Sequence, residues 1–416
     1  MKKNLIYLLA CLFTFFVSAC GNNDDESNIV IRDYVQSVNI GNKQHGEILV
    51  DNFIHQISVE LVEDQDLSDV QIKLELGEGA TMVNPPTAEA VYNLTTSAKF
   101  TIAAEGKQYS YTIKTKEIEE PVGPYKGWEQ YTGFGELPSG IRVYKSPAQL
   151  QGKNAVAYIA VAKSSKNKTF DVVLGGDIVD GRKLSGAKTP TEFYESGQYP
   201  IIMNGGYFTY QSGYYQLSLV CSNGTVLIGA QQDVWPGDGQ YYLPARGIFS
   251  HIKDKEYKAE WAVTSGNSTY AYSSPLAKPT IPATFPSFDD ARSYSAQTGV
   301  GGGPVLIKNG EIVNTYVNEM FKETTDVGAT INNPRTAIGY TSGGRIIFFV
   351  CEGRNQTPDT PGFTLEETAK ILLDLGCVEA INLDGGGSSC MLVNGKETIK
   401  PSDGTQRAIT SAIILK

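Results

Sequence analysis

The chain has three histidines in 416 residues: His45, His55 and His251. Two of them lie in an N-terminal segment far from every glycine-rich motif, which argues against a Ser-His-Asp hydrolase or a His-rich zinc centre. Positive charge is also short: 35 Lys and Arg against 45 Asp and Glu leave a net charge of −10. A general nucleic-acid binder needs a basic face to displace counterions, so that class is excluded. An anionic substrate must instead meet locally placed arginines, because the global field repels it. After the first twenty residues no apolar run is long enough to cross a bilayer. The glycine run Gly299 to Gly303 is not followed by Gly-Lys-Ser/Thr, so it is not a P-loop. Apart from Cys11 and Cys20, the cysteines are Cys221, Cys351, Cys377 and Cys390. They show no zinc-type spacing and read as buried thiols.

What is present is 41% hydrophobic residues, a mean hydropathy of −0.20, and Gly 43, Tyr 23 and Phe 16. This suits a globular, strand- and loop-rich fold with aromatic surfaces and room for two or three domains. Lys2 and Lys3 followed by the apolar Leu5 to Val17 read as an export signal. Val17-Ser18-Ala19-Cys20 resembles the bacterial lipoprotein signal, in which the cysteine is lipidated and becomes the new N-terminus. That reading makes 1–19 a signal peptide and 20–28 a lipidated Cys20 with an acidic tether. It places the protein in the cell envelope, on the periplasmic or cell-surface side of the outer membrane. Residues 29–118 hold short period-2 runs such as Ile57-Ser58-Val59-Glu60-Leu61, the pattern of a small β-sandwich. They resemble immunoglobulin-like spacer modules and contain no catalytic constellation. Residues 119–127 are charged and then Pro/Gly-rich, a linker, and 128–416 form the main domain.

Two helices are legible there. Thr189-Pro190-Thr191-Glu192 is a capping box with Gly197 to close the helix, and Thr364-Leu365-Glu366-Glu367 is a second, closed by Gly376. A strand ending at Met203 leads into Asn204-Gly205-Gly206-Tyr207-Phe208. Tyr210, Tyr214, Tyr215, Trp235, Tyr241 and Tyr242 then form either a sugar-stacking platform or ordinary exposed loop tyrosines. Asn309-Gly310 signals a hairpin. Arg345 to Cys351 is a buried strand that stops at Glu352-Gly353-Arg354. The second helix and the strand Val378 to Leu383 follow it, and this strand–helix–strand unit predicts parallel neighbouring strands with a right-handed crossover. The expected fold is an α+β main domain with a mixed, partly parallel sheet and few helices, preceded by a small all-β domain.

The last of these strands runs into Asp384-Gly385-Gly386-Gly387-Ser388-Ser389. Three consecutive glycines cost conformational entropy, so positive φ or close backbone approach should justify them. Their N–H groups can form a concave anion cradle. On neighbouring strands, Glu352 and Asp384 would lie roughly 5–10 Å apart, the range of paired carboxylates in glycoside hydrolysis. The alternative is two unrelated surface acids at strand ends.

In chain order, the motifs are Asn204-Gly205-Gly206-Tyr207-Phe208, Gly302-Gly303-Pro304, Arg335-Thr336-Ala337-Ile338-Gly339, Gly353-Arg354, Asn382 to Ser388, and Arg407. Together they resemble the phosphodiester glycosidase family over most of residues 128 to 416. The position before Gly353-Arg354, often Asp in that family, is Glu352 here. The resemblance implies hydrolysis of a sugar-1-phosphodiester of the GlcNAc-1-phosphodiester type, releasing free sugar and a phosphomonoester. Arg335, Arg354 and Arg407 would clamp the diester, unless they are surface ion-pair partners. Asp384 would be the acid/base or nucleophile with Glu352 as its partner, and Asn204 would position the sugar. Gly205, Gly206, Tyr207, Gly302, Gly303, Thr336, Gly385, Gly386, Gly387 and Ser388 complete the expected substrate site. No cofactor is implied, although a divalent cation at the acidic cluster stays open. Two other readings remain: a surface glycan-binding lipoprotein without catalysis, and a metal-dependent phosphodiesterase cleaving P–O. The second would use Asp384, Glu352 and Asp177 or Asp180 as oxygen ligands.

Overall fold

The computed structural model describes residues 33–41, 43, 45–62, 65–118, 125–164, 169–230, 239, 242–254, 256–276, 290–321 and 327–415. The signal, Cys20 and the tether lie outside the described residues, as do Trp235 and Tyr241. The chain divides into two compact units, one ending at Ile118 and one beginning at Glu119.

The described residues of the N-terminal unit form an all-β structure, a three-stranded and a five-stranded sheet. Alternation drives it: along Val70–Leu76 every second side chain is buried, so one face is apolar. Ile57, Val59, Ile72, Phe100, Tyr111 and Ile113 meet in a single core. Its larger sheet is mixed, with Gln56–Val62 parallel to Lys107–Ile118.

In the C-terminal unit all described pairings between strands are antiparallel. This corrects the expected partly parallel main sheet. Arg345–Cys351 and Cys377–Asn382 do run in the same direction, but each pairs antiparallel with Arg335–Thr341, which lies between them. Small residues let that strand in: a Cβ on its Gly339 would press on Cys377 Sγ at 2.7 Å.

Both capping boxes form, on helices Pro190–Gly197 and Leu365–Asp374, the two α-helices whose ends are described. The first closes through Gln198 at φ +51, one residue beyond the expected Gly197. The second lays Leu365, Ala369 and Leu372 on Ile347, Phe349 and Ala380 of the eight-stranded sheet. Asn309 and Gly310 turn the expected hairpin at φ +51 and +80. All four described cysteines are free and buried.

Three sheets supply most of the principal core: the eight-stranded one, a five-stranded one holding Ile201–Asn204, and a seven-stranded one holding Arg246–Lys253 and Thr298–Gly301. Met203, Phe249, Val300, Ile381 and Leu383 meet in that core. Three strand ends, at Asn204, Gly301 and Asn382, therefore converge, and the candidate site is built on them.

Candidate active site

The convergence is fixed by main-chain bonds. Asp384 N donates to Gly205 O at 3.2 Å and Gly303 N to Asn382 O at 2.7 Å. Glycine permits this approach, because a Cβ on Gly206 would collide with Gly301 O. Asn204 locks the arrangement. Its Nδ2 donates to Asp384 O at 2.6 Å, while its Oδ1 accepts from Cys390 N at 3.1 Å and Thr336 Oγ1 at 2.8 Å. With its amide committed and only 1% of its surface exposed, Asn204 holds the Asp384 turn and does not line the cleft. Thr336 is likewise fully buried, 3.1 Å from Ser389 Oγ.

Two of the three glycines, Gly385 and Gly386, have N–H groups committed elsewhere than to the expected anion cradle. Gly385 N donates to Asp384 Oδ1 at 2.9 Å. Gly386 N goes to Pro334 O, Ser388 N to Gly385 O and Ser389 N to Gly386 O. The chain winds into a short 3-10 turn over Gly386–Ser388, which takes up the Ser388 and Ser389 N–H groups. The glycines serve close packing instead. Gly386 has φ +59, and a Cβ there would crowd Arg354 Nη2. A Cβ on Gly387 would collide with Arg407 Nη2 and Asp403 Oδ2.

A cleft of about 380 Å³ opens above the turn, within the size range of small-molecule sites. Of the expected residues, Tyr207, Gly302, Arg335, Arg354, Asp384, Gly385, Gly386 and Arg407 line it. Asn204, Gly205, Gly206, Gly303, Thr336, Glu352, Gly387 and Ser388 do not, and support it from behind or lie elsewhere. Burial pushes the Asp384 carboxyl up to about 6, against the opposing pull of the Ser388 hydroxyl, the Arg407 charge and the Gly385 N–H. At neutral pH it is ionised yet basic enough to accept a proton.

Arg335 is not a phosphate clamp. Its Nε donates to Phe363 O at 2.8 Å, Nη1 to Val327 O at 2.8 Å, and Nη2 to Gly328 O at 2.5 Å and Ile331 O at 2.9 Å. It is an internal brace for that loop. Arg354 and Arg407 are better placed. Arg354 holds Asn333 Oδ1 and Ser402 Oγ at 3.3 Å each. Arg407 Nη1 donates to Ser388 Oγ at 3.2 Å and Nη2 to Asp403 Oδ2 at 2.5 Å. A third cleft arginine, Arg246, escaped the sequence reading. Its guanidinium carbon lies 4.1 Å from the centre of the Phe321 ring, a cation–π contact. Burial lowers its pKa to about 10, with Glu319 and Tyr207 pulling the other way, so it stays charged at neutral pH. The only signal for it was a lone arginine before Gly247-Ile248-Phe249, which no motif marks.

Tyr207 donates through its hydroxyl to Gly303 O at 2.8 Å and accepts from Asn382 Nδ2 at 3.0 Å. Burial first, then the Asp384 charge, pushes its phenol far up, so it stays neutral. Tyr210 and Phe208 line the cleft, and Tyr210 is 61% exposed. Tyr214 and Tyr215 sit in a small separate sheet, and Tyr242 is buried.

Glu352 does not line the cleft beside Asp384. One strand intervenes, which sets the two strand ends about 10 Å apart at the usual spacing. Glu352 is 3% exposed, and its oxygens accept from Thr357 N at 3.2 Å and Lys400 N at 3.0 Å. It ties a loop to the C-terminal segment. Asp177 and Asp180 are exposed and do not line the cleft, so the acidic cluster expected for a divalent cation is not assembled. Among the described residues no group of three or more His, Cys, Asp or Glu is placed to hold a metal.

The family model for phosphodiester glycosidases matches residues 197–416. The human N-acetylglucosamine-1-phosphodiester alpha-N-acetylglucosaminidase is 37% identical over 110 residues, 24% of this chain and 20% of that protein. The SPbeta prophage-derived uncharacterized protein YomE of Bacillus subtilis (strain 168) is 35% identical over 92 residues, 22% of this chain and 14% of that protein. The chain therefore aligns with about a fifth or less of the length of these curated relatives. Among solved structures, the zebrafish N-acetylglucosamine-1-phosphodiester alpha-N-acetylglucosaminidase catalytic domain, auto-inhibited by its pro-peptide, superposes with a TM-score of 0.47. It shares 20% identity and covers 70% of this chain and 88% of that one.

Proposed function

Since the chain belongs to the phosphodiester glycosidase family, we propose that its cleft hydrolyses a sugar-1-phosphodiester of the GlcNAc-1-phosphodiester type. Free sugar and a phosphomonoester are the products. One observation carries the reading: Asp384, the single carboxylate lining the cleft among the described residues, shares it with Arg246, Arg354 and Arg407. The name of the human relative supplies the sugar and linkage class.

In this reaction the C1–O bond to the phosphate oxygen breaks, and its electron pair leaves with the phosphomonoester. A water oxygen becomes bonded to C1, and its proton passes to Asp384, either in one step or after the carboxylate has itself attacked C1. A phosphomonoester is already a stable anion, so the leaving group needs little protonation. The arginines stabilise the charge that develops on it, in place of a second carboxylic acid. This accounts for a cleft lined, among the described residues, by one carboxylate. The exposed Tyr210 ring offers a face for the sugar. The lipoprotein-like Cys20 would hold the enzyme at the cell envelope, and loss of radiolabelled palmitate incorporation in Cys20→Ala would test that placement.

The test is to incubate the purified protein with a methyl diester of GlcNAc-1-phosphate. Free GlcNAc is expected, and none from Asp384→Asn. A phosphorylated sugar as product overturns the reading.

A further inference from the structure

Arg354 and Arg407 share one carboxylate. Asp403 Oδ2 pairs with Arg407 Nη2 at 2.5 Å, and Asp403 Oδ1 lies 3.7 Å from Arg354 Nη1. Asp403 does not itself line the cleft, whereas both arginines do. The arrangement is built into the turn, because a Cβ on Gly387 would collide with both Asp403 Oδ2 and Arg407 Nη2. Ser402, next to Asp403, adds its Oγ to Arg354 at 3.3 Å and its carbonyl to Gln356 Nε2 at 2.8 Å. Arg407 is held from the other side by Ser388 Oγ at 3.2 Å. Two guanidinium charges less the Asp403 carboxylate leave these three side chains with one net positive charge, beside Arg246, Arg335 and the ionised Asp384 of the same cleft.

We propose that Asp403 is the residue that sets the charge selectivity of the cleft, tuning the Arg354–Arg407 wall to a phosphodiester monoanion and against a phosphomonoester dianion. The proposal rests on the glycosidase reading, in which the substrate carries one negative charge at the phosphate and the product carries two. With two bare guanidinium groups the wall would retain the dianionic product. With Asp403 in place it matches the substrate, and the product leaves. Electrostatic interaction scales with the charge of the ligand, so removing the Asp403 charge strengthens dianion binding more than monoanion binding. Asp403 is a positioning residue: it acts through the two arginines and touches no reacting atom.

The experiment measures binding, so it does not depend on turnover. Titrate the full chain with diethyl phosphate, a monoanion, and with glycerol phosphate, a dianion at pH 8, by calorimetry. Compare wild type with Asp403→Asn and Asp403→Glu. Wild type is expected to favour the diester. In Asp403→Asn the ratio of monoester to diester affinity should rise roughly fivefold or more, after allowance for the partial exposure of Asp403 and for salt screening. Asp403→Glu should restore the wild-type ratio. An unchanged ratio in Asp403→Asn overturns the proposal, as does equal weakening of both ligands, which a purely structural role would give. Should Asp403→Asn not fold, Asp403→Ser carries the same prediction. Failure to cleave any glycosyl phosphodiester would reject the glycosidase reading separately, while the anion ratio would still decide the role of Asp403.

Discussion

Asn204 Nδ2 donates to the main-chain carbonyl of Asp384 at 2.6 Å, across a separation of 180 residues. That bond joins the end of a strand in the five-stranded sheet to the turn after a strand in the eight-stranded one. The position of the cleft carboxylate is thus set by a buried amide that does not line the cleft. Replacing Asn204 with Ala would leave Asp384 O, Cys390 N and Thr336 Oγ1 without this partner. A destabilisation of roughly 2–4 kcal/mol is expected, measured by urea denaturation. An unchanged midpoint would show that the amide does not hold the turn.

Under the proposed mechanism, the elevated pKa of Asp384, about 6, sets the acid side of the activity profile. The ionised carboxylate is the working form, so kcat/KM should fall as pH drops through about 6 and level off above it. A profile flat from pH 5 to 8 would remove Asp384 from that role.

The same elevation has a stability consequence. A carboxyl raised from 3.8 to about 6 on folding favours the folded state below the lower value and loses that contribution as pH rises through the higher one. Asp384→Asn should therefore be more stable than wild type at pH 7, by roughly 1–3 kcal/mol. The difference should disappear below about pH 4. Thermal melts at pH 4 and pH 7 measure it, and a variant less stable at pH 7 would contradict the burial cost.

Glu352 separates support from chemistry. Glu352→Gln keeps the shape but weakens the bonds to Thr357 N and Lys400 N, so a loss of roughly 1–2 kcal/mol is expected. Activity per folded molecule should stay within about tenfold, whereas Asp384→Asn should lose roughly a thousandfold or more. Equal losses of kcat in the two variants would return Glu352 to the reaction.

The contrast between Glu352 and Asp384 also marks where the sequence is legible. The N-terminal capping boxes, the strand Arg345–Cys351 and the Asn309-Gly310 turn are local signals, and each is formed as read. The order of strands in the sheet is not local: nothing in the periodicity of the segment from Arg345 to Asn382 announces that Arg335–Thr341 enters between its two strands. Side-chain type misled in the same way. Arg335 and Arg354 look alike in sequence and both line the cleft, yet one guanidinium is spent on four backbone carbonyls and the other meets the side-chain oxygens of Asn333 and Ser402. Arg246 borders the cleft too, and only the fold of the seven-stranded sheet brings it there.

The most direct measurement is which bond breaks. Hydrolysis of a GlcNAc-1-phosphodiester in water enriched with oxygen-18, followed by mass spectrometry of both products, traces the attacking oxygen. Label in the sugar, with none in the phosphomonoester, is the expected result of attack at C1 assisted by Asp384. Label in the phosphate would mean P–O cleavage and would contradict the glycosidase mechanism.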